Sequence, residues 1–329
     1  MDFPIDFIVT WVDGNDTQWQ KKKSQYNTNE TKMNGASRYR DYEIFKYWFR
    51  AIENNAPWVH RIFLVTDNQV PSWLKNNEKI ELVDHSEYID AKYLPTFNSN
   101  VIEMNFANIP GLSEHFVVFN DDTFMVNPMQ PTDFFDENGV PVDCFVSNVI
   151  QPTDDFSHIF VQNLKLINQK YNKREVISKN KSKYFNFKYG KLLLLNFYLL
   201  PFGAFTRFYD PHLPMPYTKT NLQTMWRYFG EDLEPFLSNR FRKSTDFSIW
   251  LARYIRLVEG DFVPTKIKGR GSYFQISDVN QVREKLQTRD FFVVVNDDDN
   301  LTNAEFENIK PVIKKTFEEK WPQKSEFEK

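Results

Sequence analysis

Short, nearly continuous apolar runs recur through the first half of the chain, and each ends at an acidic residue or an amide. Ile5 to Val12 has the look of a buried strand and stops at the turn signal Asp13-Gly14-Asn15-Asp16. Arg61 to Thr66 repeats the pattern before Asp67-Asn68, and Ile80 to Val83 before Asp84-His85. Phe116 to Phe119 repeats it again before Asn120-Asp121-Asp122. Between these runs lie a polar stretch, Lys21 to Ser37, and a helical pattern from about Tyr39 to Asn54 with Tyr42, Phe45, Phe49 and Ile52 on one face. A second helical pattern falls at Ile102 to Phe106. Apolar strands alternating with helices predict an α/β fold, a doubly wound Rossmann-like sheet, with its ligand crevice at the carboxyl ends of the strands. Asp13, Asp67, Asp84, Asp121 and Asp122 would gather there. No G-x-G-x-x-G follows the first run, which favours a nucleotide-sugar site over a dinucleotide site.

The second half is less regular. Asn221 to Tyr228 and Thr245 to Val258 are predicted helices, and Phe291 to Val295 a further strand ending in Asn296-Asp297-Asp298-Asp299. With no internal repeat and no low-complexity linker, a single catalytic domain spanning 1–329 is expected, with a basic, aromatic, helical insertion at about 155–215.

Composition narrows the class. Net charge is −3, which argues against a general nucleic-acid binder. The one cysteine, Cys144, rules out a disulfide framework and a thiolate zinc site, and its apolar neighbours suit an inert core thiol. The Met1-Asp2-Phe3-Pro4 start has no export signal, so a cytoplasmic address is expected. Aromatic residues make up 17% of the chain, with 32 Phe, which serves a core and sugar-stacking platforms equally well. No apolar run reaches the ~18–20 residues of a membrane span. Leu192 to Phe205 comes nearest, and it follows nine cations (Lys165, Lys170, Lys173, Arg174, Lys179, Lys181, Lys183, Lys188, Lys191) set against one acid, Glu175. Such a stretch suits peripheral contact with an anionic membrane face or an anionic polymer; it suits equally a solvated helix followed by a core strand.

Candidate chemistry centres on Asp121-Asp122. Two carboxylates at a strand end can hold a hard divalent ion against a diphosphate, and Asp297 repeats the arrangement, with Asp298 and Asp299 expected in solvent. His212, in the stiff Asp210-Pro211-His212-Leu213-Pro214 segment, has the chemistry of a general base but is equally compatible with a structural role. Arg240 and Arg242, like Arg38 and Arg40, are either phosphate clamps or ordinary surface.

Together these segments resemble the Stealth family of capsular polysaccharide phosphotransferases, whose animal relative is the α/β subunit of N-acetylglucosamine-1-phosphotransferase. Four blocks carry the resemblance in order. The first is Ile5 to Gly14. The second runs from Arg38-Tyr39-Arg40-Asp41 through Ala56-Pro57-Trp58-Val59, Thr66 to Leu74, Leu94 to Asn100 and Ile109 to Phe116, ending in Phe119-Asn120-Asp121-Asp122. The third is His212-Leu213-Pro214 with Arg240 to Asp246, and the fourth Val295-Asn296-Asp297. One departure shows: Ala107-Asn108 stand where the family usually has His-Arg.

The resemblance implies a domain similar to glycosyltransferase type A, taking a UDP-linked or related nucleotide-sugar donor and a polysaccharide or oligosaccharide acceptor. It implies Mg²⁺ or Mn²⁺ on Asp121, Asp122 and Asp297, with His212, Asp122 and Arg242 as catalytic groups and Trp11, Asp13, Arg38, Asp67, Asn98 and Arg240 as substrate-binding positions. A sugar-1-phosphate would move to a glycan hydroxyl with release of nucleoside monophosphate, in capsule assembly. The competing reaction is an ordinary type A glycosyl transfer releasing nucleoside diphosphate. A non-catalytic glycan-binding role in a capsule assembly complex is the third alternative.

Overall fold

A computed structural model describes residues 1–26, 39–152, 157–266, 269–298 and 300–329. Arg38 and Asp299 lie outside the described residues. The strands are β1 (Ile5–Thr10), β2 (Ile62–Thr66), β3 (Ile80–Asp84), β4 (His115–Phe119), β5 (Thr123–Met125), β6 (Val142–Asp143), β7 (Met215–Thr218), β8 (Val263–Pro264), β9 (Gly271–Gln275) and β10 (Phe292–Asn296). The helices are α1 (Thr17–Ser24), α2 (Phe45–Asn55), α3 (Ser99–Met104), α4 (His158–Lys170), α5 (Lys173–Lys179), α6 (Lys181–Tyr184), α7 (Leu193–Tyr198), α8 (Lys219–Leu233), α9 (Trp250–Glu259), α10 (Val279–Leu286) and α11 (Asn303–Lys320).

The main sheet runs β3-β2-β1-β4-β7, with β3, β2, β1 and β4 parallel and β7 antiparallel at the edge. This is the α/β, Rossmann-like arrangement that the apolar runs predict. Because successive side chains of a strand point to opposite faces, Ile5, Phe7 and Val9 of β1 join one core cluster while Ile8 joins the other. The first cluster packs α2 and α11 against the sheet; the second packs α8 and α9. With both faces covered, the strand is apolar apart from Asp6 and the terminal Thr10. That carboxylate is fully buried and accepts hydrogen bonds from the Ser113 amide and, at 2.7 Å, from His60 Nδ1.

The helix starts do not all follow the sequence pattern. The helix expected from Tyr39 begins only at Phe45, whose buried face continues through Trp48, Phe49 and Ile52 at helical spacing. Residues 39–44 instead form an irregular approach that supplies cleft side chains. At the other end of the chain, α11 opens on a capping box between Thr302 and Glu305. Helix α9 closes on Gly260, whose left-handed φ of 78° suits a residue without Cβ.

A second, three-stranded sheet, β5-β10-β9, is joined directly to the first. Three residues separate β4 from β5, and they are Asn120, Asp121 and Asp122. Thr123 of β5 pairs with Val294 of β10, and the Val295 amide donates to the Asp122 carbonyl at 2.9 Å. The acidic turn is therefore clamped between two sheets, and the end of β10 is carried to its side.

Candidate active site

At the carboxyl ends of β1, β2, β4 and β10 lies a cleft of about 380 Å³, lined among others by Trp11, Asp67, Asp121, Asp122, His212, Arg242 and Asp297. Its size is that of small-molecule sites, and its position is where an open α/β sheet binds ligands. Seven of the predicted site residues thus share one cavity, although they are drawn from both ends of the sequence.

Its electrostatics are unusual. Burial, then the neighbouring charges of Asp122 and Asp41, push the Asp121 carboxyl up to about 7. Asp122 is also raised by burial, an effect that the nearby His212 partly opposes, and its side chain accepts a 3.0 Å bond from the Thr123 hydroxyl. Asp41 too is raised by burial. Acids crowded into a half-buried cleft would be stabilised by a cation. Oxygen-only donors suit a hard divalent ion, so Asp121 and Asp122 fit one. Among the described residues, however, no three acidic, His or Cys groups converge as a ready-made metal shell. Asp297 is held elsewhere: its Oδ1 accepts from the Tyr42 hydroxyl and, at 2.7 Å, from the Asp298 amide, with Arg40 Nη1 at 3.7 Å.

His212 sits in a strained backbone. Its φ is 52°, in the left-handed region that non-glycine residues seldom occupy. The ring meets Trp250 and Tyr273 edge-on, at centroid distances of 6.2 and 5.6 Å. Two residues before it, Asp210 is anchored by Arg253 Nη1 at 2.7 Å, by the Tyr254 hydroxyl at 2.9 Å and by Arg207 at 3.4 Å. Arg253 is fully buried and also grips Asp143 through two bonds of 2.9 Å, while Arg256 reaches Asp143 at 2.6 Å. Burial alone would raise the Asp143 carboxyl, but the two arginines outweigh it and hold it below its usual range.

Arg242 Nη2 donates to the Ser99 hydroxyl at 2.7 Å and faces Glu103, one turn along α3. Glu103 also lines the cleft, and burial, only partly offset by Arg242, pushes it up to about 7. Trp11 lies flat on Phe45, 5.9 Å between centroids and 6° between planes, giving the cleft an aromatic wall. Asp67 is paired to Lys22 at 2.5 Å.

Several expected binding residues lie outside the cleft lining. Asn98 is fully buried, donating to Asp246 at 2.7 Å and capping α3 through the Asn100 amide. Arg240 covers the Tyr26 ring and donates to the Leu94 carbonyl. Asp13 closes its own turn, accepting from the Asn15 amide at 2.8 Å. Asp84 likewise caps a short helical turn. Asp298, expected in solvent, is buried and accepts from Ser277 and Asn300, because the chain turns inward after β10. Arg40, open in the sequence between phosphate clamp and surface, lines the cleft. Asp41, Tyr42 and Glu103 are cleft residues that sequence reasoning did not select. The Arg-Tyr-Arg-Asp block held the signal for Asp41.

Models of two Stealth regions match the chain: conserved region 1 over residues 3–31 and conserved region 2 over residues 38–143. An exopolysaccharide phosphotransferase, cps2G, of Lactiplantibacillus plantarum is 44% identical over 99% of this chain and 97% of its own length. The chain belongs to the Stealth family. This Stealth chain is also 38% identical to the capsular polysaccharide phosphotransferase WcwK of Streptococcus pneumoniae, over 99% of this chain and 98% of the relative. It is 37% identical to the receptor polysaccharide phosphotransferase WefC of Streptococcus gordonii, over 98% of each. A solved galactosyltransferase, LgtC, aligns over 94% of this chain and 95% of its own, but at 9% identity and a TM-score of 0.37, too loose to bear on the Stealth cleft. The Ala107-Asn108 departure lies away from the cleft lining, with Asn108 turned to the Tyr88 carbonyl.

Proposed function

We propose that this chain is a polysaccharide phosphotransferase that moves a sugar-1-phosphate from a UDP-linked sugar to a glycan hydroxyl during capsule synthesis. The observation that carries the reading is the convergence of Asp121, Asp122, Arg242 and His212 on one cleft, in a chain matched end to end by relatives named phosphotransferases. We read the chain as one catalytic domain with a helical insertion at about 155–215, acting in the cytoplasm.

His212 takes the proton of the acceptor hydroxyl, whose oxygen attacks the phosphorus that bears the sugar. A bond from that oxygen to phosphorus forms, the bond from phosphorus to the diphosphate's bridging oxygen breaks, and nucleoside monophosphate leaves with that oxygen. The new linkage is a phosphodiester between two sugars. Arg242, held by the Ser99 hydroxyl, neutralises the equatorial oxygens, since positioning and charge supply most of such catalysis. Asp121 and Asp122 would hold Mg²⁺ or Mn²⁺, which offsets the diphosphate charge. The three-carboxylate shell expected from the resemblance would add Asp297, whose Oδ1 accepts from Tyr42 and the Asp298 amide. Trp11 offers a stacking face for the base or a sugar.

Incubation of the purified chain with Mg²⁺, UDP-sugars and a capsule-type acceptor tests the reading through the nucleotide released. UMP supports it. UDP would make the enzyme a glycosyltransferase attacking the anomeric carbon instead.

A further inference from the structure

Between α6 and the loop that carries His212, the chain presents large apolar side chains to water. Phe187, Leu194, Phe197, Tyr198, Leu200 and Phe202 are exposed, from 42% for Leu200 to 91% for Phe187. Leu194, Phe197 and Tyr198 stand at i, i+3 and i+4 on α7 and so share one face. The expected alternative, a core strand after a solvated helix, is not what forms: Leu192 to Phe205 is a helix and loop that packs Leu199 and Phe205 inward and leaves Leu194, Phe197, Tyr198, Leu200 and Phe202 facing out.

Nor is the segment a loose tail. Asn196, fully buried, donates to the Phe145 and Tyr184 carbonyls and accepts from the Ser147 amide. The Lys173 ammonium is buried beneath the loop and donates to the Leu199 carbonyl at 2.5 Å and the Phe202 carbonyl at 3.0 Å. Lys183 ties the preceding turn to the Phe262 carbonyl at 2.8 Å. The fold therefore uses polar anchors to hold apolar groups outward. An apolar patch kept exposed in this way marks a contact surface.

Charge says what the contact is. Arg174, Lys179, Lys181, Lys188 and Lys191 are all exposed on or beside the same segment, against the single acid Glu175. We propose that residues 174–202 form a docking face for an anionic lipid bilayer, with the aromatic and leucine side chains entering the headgroup region and the cations resting on acidic headgroups. A second copy of the chain is disfavoured, because two like-charged faces repel. An anionic glycan would satisfy the lysines and stack on the rings, yet leave Leu194 and Leu200 wet. Among the described residues no helix is long and apolar enough to cross a membrane, so the contact is peripheral. This inference goes beyond the transfer reaction, and its readout needs no donor, so either can fail alone.

The test is co-sedimentation of the full chain with vesicles of phosphatidylcholine alone or with one-third phosphatidylglycerol, at low and high salt. Binding is expected only to the anionic vesicles and should weaken with salt. Lys188→Gln with Lys191→Gln should cut it on the order of 25-fold, about fivefold for each charge. Phe187→Ser with Tyr198→Ser and Phe202→Ser should cut it about tenfold or more. Both variants should melt with the wild type; were the serine variant to melt early, the glutamine pair decides. No binding to anionic vesicles at low salt, or binding that neither variant weakens, overturns the proposal. So would a dimer in free solution that the serine variant dissolves, or retention on an anionic polysaccharide without vesicle binding.

Discussion

Arg253→Met probes the link between the buried ionic network and the catalytic loop. Arg253 holds Asp143 and Asp210 at once, both of them buried. Methionine keeps much of the volume but removes five donors from a fully buried place. Removing one partner of a buried pair typically costs ~3–5 kcal/mol. Here each acid retains another partner, Arg256 for Asp143 and Tyr254 with Arg207 for Asp210, so the low end, ~3 kcal/mol, is expected. An unfolding entropy of ~2.1 cal/mol/K per residue gives the whole chain ~0.7 kcal/mol/K, so the melting temperature should fall ~4 °C. The functional consequence runs through the backbone. Asp210 is joined to His212 through Pro211, and the φ of 52° at His212 persists only while the loop is held. Freed, the imidazole relaxes away from the cleft, and a displacement of about 1 Å can cost ~100-fold in rate. Steady-state nucleotide release should show kcat down ~10–100-fold with KM little changed. A variant that melts early yet keeps wild-type kcat would refute the positioning role. An unchanged melting temperature would refute the energetic one.

Three further outcomes follow from the cleft. Asp121→Asn should lose activity about a thousandfold without loss of stability, measured by product release beside thermal melts. His212→Gly relieves the left-handed strain and should stabilise the fold by about 1 kcal/mol while activity falls ~10²–10⁴-fold; a less stable glycine variant would contradict the strain. Glu103 is a carboxyl raised to about 7 by burial, so its charged form is disfavoured in the folded state, and stability should decline as pH climbs from its unfolded value through 7. Glu103→Gln removes that decline and should exceed the wild type by ~2 kcal/mol at pH 8 but not at pH 5, a figure reduced for the group's partial exposure and read by denaturant unfolding.

Much of the frame was legible because parallel strands buried on both faces must be largely apolar, as β2 and β4 are and as β1 is apart from Asp6 in its interior. Strands β5 and β7 are too short to carry a period, and α11 hides its buried stripe, Phe306, Ile313 and Phe317, among many charges. For the site, a strand-end Asp121-Asp122 pair is readable because strand ends converge. Asp297 is suggested by the same strand-end pattern, but what carries it to the cleft, the pairing of β5 with β10, is written in no single run. Polar residues inside a matching block are equally opaque. Asn98 and Arg240 turn to the protein's own backbone, while Glu103, an unremarkable charge on a short helix, turns into the cleft. A side chain's identity is written in the chain, but only packing decides which way it faces.

The bond that breaks is the central claim, and a donor labelled with ³²P at the sugar-linked phosphorus reads it directly. With Mg²⁺ and acceptor, label should appear in the glycan as a phosphodiester, while the released nucleotide is unlabelled UMP. Label retained in UDP, with an unlabelled glycan, would mean that the acceptor attacks carbon, and the roles assigned to Arg242 and His212 would fall.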